Sequence, residues 1–507
     1  MGIQNAVCRT RQLQQLCTDD QQPRSTESQS RYVEHVFSLL YLQDAARAAC
    51  VPRSFLRSWR HYSNLTFSEK SLGLNDTKLG LDEETVALHG KAYKLCRIES
   101  FLVNRIDHIL KNHSGIGVET LKLQLYPCSN IDASCLDGWL QIAIKSGIKD
   151  VSIELSSNIK TAYNFPCELL SNETGRSIQF LRLSSCAFRP TGKLGCLRSL
   201  TRLSLHLVHT NDEELGRLLS NSVSLEKIEI SCCNEIVCLK IPCTLYQLSL
   251  LRVLACKMLR NVEVNAPKLS SLHYGGSPAQ ISFGNLLQVR DIHMLGFLHL
   301  GMIHYARTKL TSIAPNIESL TLSSPLEKIN TPMLPCKLLH LKYLDIQLSG
   351  GMNFLPNYDL FSLISFPDAS PSLKSFILRL KHEGIRHNSI LGESTGDRGH
   401  IRQKPECRHD HLEKVTITGF CSLRSLVELT TYILENTSSL KQLTLDTTRD
   451  DERNFPMIDR CLTMSRVALI EAHKSLEAIL TYIEGKIPPN VCLKVLGPCS
   501  SCQPDIS

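Results

Sequence analysis

Three groups of cysteine and histidine stand at spacings that metal or thiol chemistry uses. Cys499 and Cys502 form a Cys-x-x-Cys pair, which can chelate zinc or cycle between dithiol and disulfide. Zinc needs two further ligands, and no second pair stands near. The pair also lies in a tail, away from any helix start that would activate a thiol. Cys407, His409 and His411 alternate, so in a strand they would point one way, with His400 close in sequence. Their surroundings, GIRHNSILGESTGDRGHIRQKPECRHD over Gly384–Asp410, are charged and glycine-bearing, which reads as a long solvated loop. Cys232, Cys233, Cys238 and Cys243 crowd one short stretch. Neither a Gly-x-Ser-x-Gly elbow nor a phosphate loop occurs, and no nucleophile is placed beside a base. The expectation is therefore a chain with no catalytic residues, no metal and no cofactor.

A simpler periodicity accounts for part of the third cysteine group and for most of the chain. In Ser199–Leu207, SLTRLSLHL, Leu200, Leu203 and Leu205 stand at spacing three then two. The last two share one face of a short strand, and the first enters the same interior from the preceding turn. One such segment cannot bury its leucines alone and needs copies stacked beside it. Copies begin at Val118, Ile148, Ile178, Leu225, Leu250, Leu269, Val289, Ile317, Leu341, Leu373, Leu412 and Leu440. Most follow one another by about 20–30 residues, the period of leucine-rich repeats. That template places Asn or Cys three residues after the last strand leucine, which Cys186 and Cys233 satisfy. The fold class is therefore α/β, a leucine-rich-repeat solenoid curved as a horseshoe.

Bulk properties agree. The chain has 507 residues, enough for several domains and a large core. The net charge of +7 comes with no dense basic block, so no nucleic-acid partner is expected. An odd 21 cysteines, scattered and often at strand positions, read as reduced thiols of a cytoplasmic or nuclear protein. No apolar run reaches membrane-spanning length and the N-terminus has no signal-peptide core, so no membrane association is expected.

In chain order, residues 1–30 are polar and read as a disordered tail. Residues 31–70 hold three short amphipathic helices: Val33, Val36, Phe37 and Leu40 share the first face, and Phe55, Leu56 and Trp59 the third. Residues 71–117 form a linker and a capping helix, with helical runs at Lys91–Leu95 and Phe101–Leu110. Repeats fill 118–448, interrupted by the polar loop at 384–410. Residues 449–507 close the solenoid with a helix over Met464–Glu484, with Val467, Ile470, Ala478, Ile479 and Ile483 apolar, and a strand at Val491–Leu496. Terminal caps are required because an end repeat exposes its apolar side.

The string SLLYLQDAARAACVPRSFLRSW resembles an F-box, specifically that of plant F-box proteins with leucine-rich repeats of the FBD-like family. Leu39, Leu40, Leu42, Asp44, Ala45, Ala46, Arg47, Val51, Phe55, Leu56 and Trp59 match position by position. The resemblance implies the substrate-recognition subunit of an SCF-type ubiquitin ligase. Val36, Leu39, Leu40, Leu42, Ala45, Ala46, Val51, Phe55, Leu56 and Trp59 would dock a Skp-type adaptor and through it a cullin. The repeats would hold a target protein, with strand residues between the leucines facing it. Arg202, Ser204, Lys227, Glu229, Tyr343 and Asp345 are the residues expected to do so, alongside Ser319, Thr321, Lys414, Thr416, Gln442 and Thr444. The family's Leu-Pro opening would fall at Ser28–Arg31, which reads SQSR, and Pro52 replaces its usual Ser. The alternative is a non-catalytic interaction scaffold of the same fold that has lost adaptor binding.

Overall fold

The computed structural model describes Leu42 and residues 62–499, apart from 75–82, 115–116, 127, 129–130, 146, 158–161, 171, 191–196, 277–279, 284–286, 297–300, 326, 328–336, 350–357, 383–388, 392–406 and 449–463. Of the F-box-like positions only Leu42, a buried helical residue, is among them. Val36, Leu39, Leu40, Ala45, Ala46, Val51, Phe55, Leu56 and Trp59 lie outside the described residues, as does Cys502. The chain divides into two compact units, 1–159 and 160–507.

In the first unit, strands β1 (Asn64–Phe67), β2 (Thr120–Gln124) and β3 (Asp150–Glu154) pair in parallel in that order. Leu121 and Leu123 of β2 and Val151 and Ile153 of β3 point into the core, as their alternation requires. Strand β1 falls within the segment assigned to the short helices. Leu65 and Phe67 oppose Leu121 and Leu123 and are wholly buried, so residues 64–67 join the repeat sheet. The two helical runs before β2 are one helix, α1 (Glu83–Asn112), burying Leu102, Ile106 and Leu110. It packs on α2 (Ala133–Ala143), which is capped by Asp132 and buries Trp139 and Leu140.

In the second unit, twelve of the described strands form one parallel sheet. They are β4 (Phe180–Ser184), β5 (Arg202–His206), β6 (Lys227–Ser231), β8 (Leu250–Leu254), β10 (Ser271–Gly276), β12 (Asp291–Gly296), β13 (Ser319–Pro325), β14 (Tyr343–Ser349), β15 (Ser375–Lys381), β16 (Lys414–Thr418), β17 (Gln442–Asp446) and β18 (Cys492–Leu496). The missing numbers belong to a second sheet of β7 (Cys238–Ile241), β9 (Asn261–Val264) and β11 (Gln280–Phe283). The fold is a leucine-rich-repeat solenoid of the α/β class.

Repeat length decides what returns the chain from strand to strand. Longer repeats have room for helices: α3 (Asp212–Ser220), α4 (302–313) and α5 (Arg424–Asn436). Between β6 and β12 the strands recur about every twenty residues, too few for a helix, and β7, β9 and β11 take its place. The pattern of leucines does not announce this second sheet.

One repeat sits in a different register from the one expected. The buried residues of β8 are Leu251 and Val253, with Leu248 entering from the turn; Leu250 opposes Lys227 on the other face. The triplet is therefore Leu248–Leu251–Val253, not Leu250–Val253–Ala255. The run LSLLRVL offers leucines to both frames, and pairing with β6 selects one.

That correction completes a ladder. Ser185, Leu207, Cys232 and Ala255 each follow a strand and adopt φ of 51–56°. Their amides donate to the next strand, to the carbonyls of His206, Ser231, Leu254 and Gly275. This left-handed step turns the following residue inward: Cys186, Val208, Cys233 and Cys256 are all buried. The Cys233 thiol lies 3.4 Å from the Ser231 carbonyl and 3.8 Å from that of Leu205.

The C-terminal cap helix is α6 (Arg466–Tyr482), opened by Ser465, whose side chain accepts from the Ala468 amide. Its buried face is Ala468, Glu471, Ala472, Ser475, Ala478 and Ile479. Val467 and Ile470, expected on that face, are 54% and 51% exposed. Strand β18 pairs with β17 and ends the sheet.

Candidate functional site

Strand alternation sends one set of side chains into the core and the other to the open face of the sheet. In the second unit, parallel pairing without stagger lines up the open-face residues in rows across repeats. The central row runs Ser204, Glu229, Arg252, His273, His293, Thr321 and Asp345, each the register partner of the next. The row before it runs Arg202, Lys227, Leu250, Ser271, Asp291, Ser319 and Tyr343.

All six residues expected to face a target lie on these two rows. Arg202 and Lys227 are exposed register partners, and Tyr343 is 55% exposed. Glu229 and Asp345 are half-buried, and Ser204 is nearly covered. The structure does not gather them at one point. Five strand steps separate β6 from β14, or roughly 24 Å at the usual spacing.

What lies between was not singled out from sequence. Arg252 Nη1 donates to Glu229 Oε1 at 2.9 Å, and its Nε donates to His273 Nδ1 at 3.3 Å. His273 stacks on His293 with ring centroids 4.1 Å apart. Asp291 sits below both: His293 Nε2 is 3.2 Å from Oδ1, His273 Nε2 is 3.6 Å from Oδ2, and the Ser271 hydroxyl donates to Oδ2 at 2.7 Å. Burial alone would raise the Asp291 pKa. Hydrogen bonds from His273, His293, Ser271 and Ser319 outweigh it and hold the carboxyl well below the usual carboxylate range. Beyond Thr321, Arg379 clamps Asp345 through two donors, Nε to Oδ1 at 3.0 Å and Nη2 to Oδ2 at 3.1 Å.

Polar side chains therefore line the open face from β6 to β14 in two bonded groups, Glu229–Arg252–His273–His293–Asp291 and Asp345–Arg379, with exposed Tyr343 on the same strand as Asp345. The signal was in the sequence: SLHYGG and DIHMLG carry histidine at the same repeat position. Spacing within one repeat does not reveal the cluster, because its partners come from different repeats, about twenty residues apart.

The cysteine and histidine groups sort differently. The buried ladder thiols Cys186, Cys233 and Cys256 have pKa values pushed by burial up to about 12, 12 and 11, so they serve as small hydrophobes, as read. Cys499 is exposed. The stretch from Cys407 to Asp410 departs from the solvated-loop reading. His409 is buried, its Nε2 lies 3.5 Å from Asp368 Oδ1, and its amide donates to the Asn436 carbonyl. Cys407 is half-buried beside the Asp368 carbonyl, while His411 is exposed. Cys407, His409 and His411 therefore do not converge.

Residues 109–500 match the family model for the At1g61320/AtMIF1 LRR domain. Several Arabidopsis thaliana proteins are similar. A putative FBD-associated F-box protein, At5g53635, is 28% identical over 62% of this chain and 75% of its own length. Another, At1g61330, is 21% identical over 87% of this chain and 93% of its own. A putative F-box/FBD/LRR-repeat protein, At3g49040, is 26% identical over 66% and 73%. Among solved structures, an internalin from Listeria monocytogenes aligns over 69% of this chain and 82% of its own, at 12% identity and a TM-score of 0.33. No helix among the described residues is long and apolar enough to cross a membrane.

Proposed function

This chain belongs to the At1g61320/AtMIF1 LRR-domain family, and on that premise we propose that it is the substrate-recognition subunit of an SCF-type ubiquitin ligase. The observation that carries the reading is the row of polar side chains from Glu229 to Asp345 on the open sheet face. Such a row offers a protein target charge and hydrogen bonds over several repeats, with Tyr343 as an exposed aromatic anchor. The relatives' F-box names support the other half. Val36, Leu39, Leu40, Leu42, Ala45, Ala46, Val51, Phe55, Leu56 and Trp59 are assigned to a Skp-type adaptor, which brings a cullin. Arg202, Ser204, Lys227, Glu229, Tyr343 and Asp345 are assigned to the target. The site of action is the cytoplasm or nucleus.

A second reading has its own observation. Ser28–Arg31 reads SQSR where the family opens with Leu-Pro, so the chain would be an interaction scaffold detached from the ligase.

The test is to compare proteins retained from plant cells, under proteasome inhibition, by the intact chain and by an Arg252→Glu, Tyr343→Ala variant. The receptor reading expects adaptor and cullin with both, and a set of other proteins lost from the variant. Absence of adaptor and cullin from both, or identical retained sets, would overturn it.

A further inference from the structure

We propose that His273, Asp291 and His293 form a binding site for a divalent first-row transition-metal ion, Zn²⁺ in the first instance, on the open face of the repeat sheet. The inference stands independently of the ligase reading. One ligand atom from each residue lies within 4.8 Å of the other two. Zinc bound at 2.0–2.2 Å in a tetrahedron sets its ligand atoms about 3.3 Å apart. His293 Nε2 stands 3.2 Å from Asp291 Oδ1, close to that spacing, and His273 Nε2 stands 3.6 Å from the other oxygen, Oδ2, so a small rotation of the carboxylate or of the His273 ring completes the set. The residues come from adjacent strands in fixed register, so backbone pairing already holds the three side chains on one side. Ser271, bonded to Asp291 Oδ2 at 2.7 Å, orients the carboxylate as a supporting hydrogen bond does in metal sites. All three are partly exposed, which leaves water the remaining coordination position.

Two imidazoles and one carboxylate are a borderline donor set, suited to zinc, copper or nickel rather than magnesium or calcium. The second cluster, Asp368, Cys407 and His409, also meets the distance criterion. It is the natural internal control, because its imidazole is buried.

Arg252 makes the proposal specific. Its Nε donates to His273 Nδ1, so the neutral ring carries its proton on Nε2, facing Asp291. Coordination through Nε2 requires the other tautomer: the proton moves to Nδ1 and Arg252 releases that bond, keeping its hold on Glu229. No net proton is lost or gained in that exchange. Arg252 thus competes with the metal, both through this bond and through its charge.

The experiment is calorimetric titration of the full chain with Zn²⁺ alone near pH 7.5. The expected result is one ion per chain, with affinity lowered at least about tenfold in His293→Gln and in Asp291→Asn. Cys407→Ser should leave it unchanged, and Arg252→Leu should raise it severalfold. The glutamine and asparagine variants keep side-chain volume, and circular dichroism and the urea midpoint of each, run beside the natural chain, separate loss of a ligand from loss of the fold. Absence of stoichiometric uptake by the natural chain would overturn the proposal. So would uptake indifferent to His293→Gln and Asp291→Asn but lost in Cys407→Ser, or a weaker affinity in Arg252→Leu.

Discussion

Gly419→Ala is expected to destabilise the second unit by about 3 kcal/mol or more. Gly419 has φ of +68°, in the left-handed region that a side chain enters only at a cost of about 1–2 kcal/mol. A Cβ built there stands 2.0 Å from the Leu380 carbonyl oxygen and 3.0 Å from its carbon. Both are backbone atoms, so no rotamer change relieves the overlap. The same residue ties three repeats together. Its amide donates to the Thr448 carbonyl at 2.9 Å, and its own carbonyl receives the ring of His382 at 3.0 Å. Relief of the clash must therefore strain one of those bonds. The measurement is the urea midpoint followed by circular dichroism, beside Gly485→Ala, where an added Cβ meets nothing within 4 Å. The control should stay within about 0.5 kcal/mol of the natural chain. Equal midpoints for Gly419→Ala and the control would refute the account of this turn.

Glu471→Ala should cost about 2–5 kcal/mol and loosen the C-terminal cap from the last repeats. Glu471 lies on α6, is buried, and accepts both the Ser422 amide and the Ser422 hydroxyl at 2.8 Å. Removing the carboxylate takes from the Ser422 amide its acceptor, inside the protein, and leaves the Ser422 hydroxyl with the Ser389 hydroxyl, 2.8 Å away. Glu471→Gln keeps one acceptor oxygen and should recover part of the loss. Hydrogen exchange of the β17 and β18 amides reads the effect locally, because among the described strands β18 is paired only to β17. Protection unchanged in Glu471→Ala would show that apolar packing alone seats the cap.

These two residues also mark where sequence reasoning reached its limit. The strand leucines were legible because their burial is a local consequence of spacing. Leu203 and Leu205 must lie on one face wherever the strand is placed. The register of β8 was not, since Leu250 and Leu251 are chemically equal and only pairing with β6 separates them. Glu471 was invisible for a related reason. A carboxylate on an amphipathic helix reads as solvent-facing until the Ser422 amide it accepts is known. The site divides in the same way. Glu229 and Asp345 could be placed on the open face from their own repeats. The stack of His273 on His293 over Asp291 needed two repeats in register before it existed as a feature.

The proposed role joins a target to a ligase through the N-terminal segment. It is tested most directly by measuring affinity for a purified plant Skp-type adaptor. The natural chain would be run beside one in which Ser28–Arg31 is rebuilt to Leu-Pro-x-Asp. An added buried anchor contributes about 1–3 kcal/mol, or roughly ten- to hundredfold in affinity. The account predicts that the natural chain binds and that the rebuilt chain binds tighter by about that factor. If both chains fold and neither binds, the F-box-like segment has no adaptor role and the receptor reading fails.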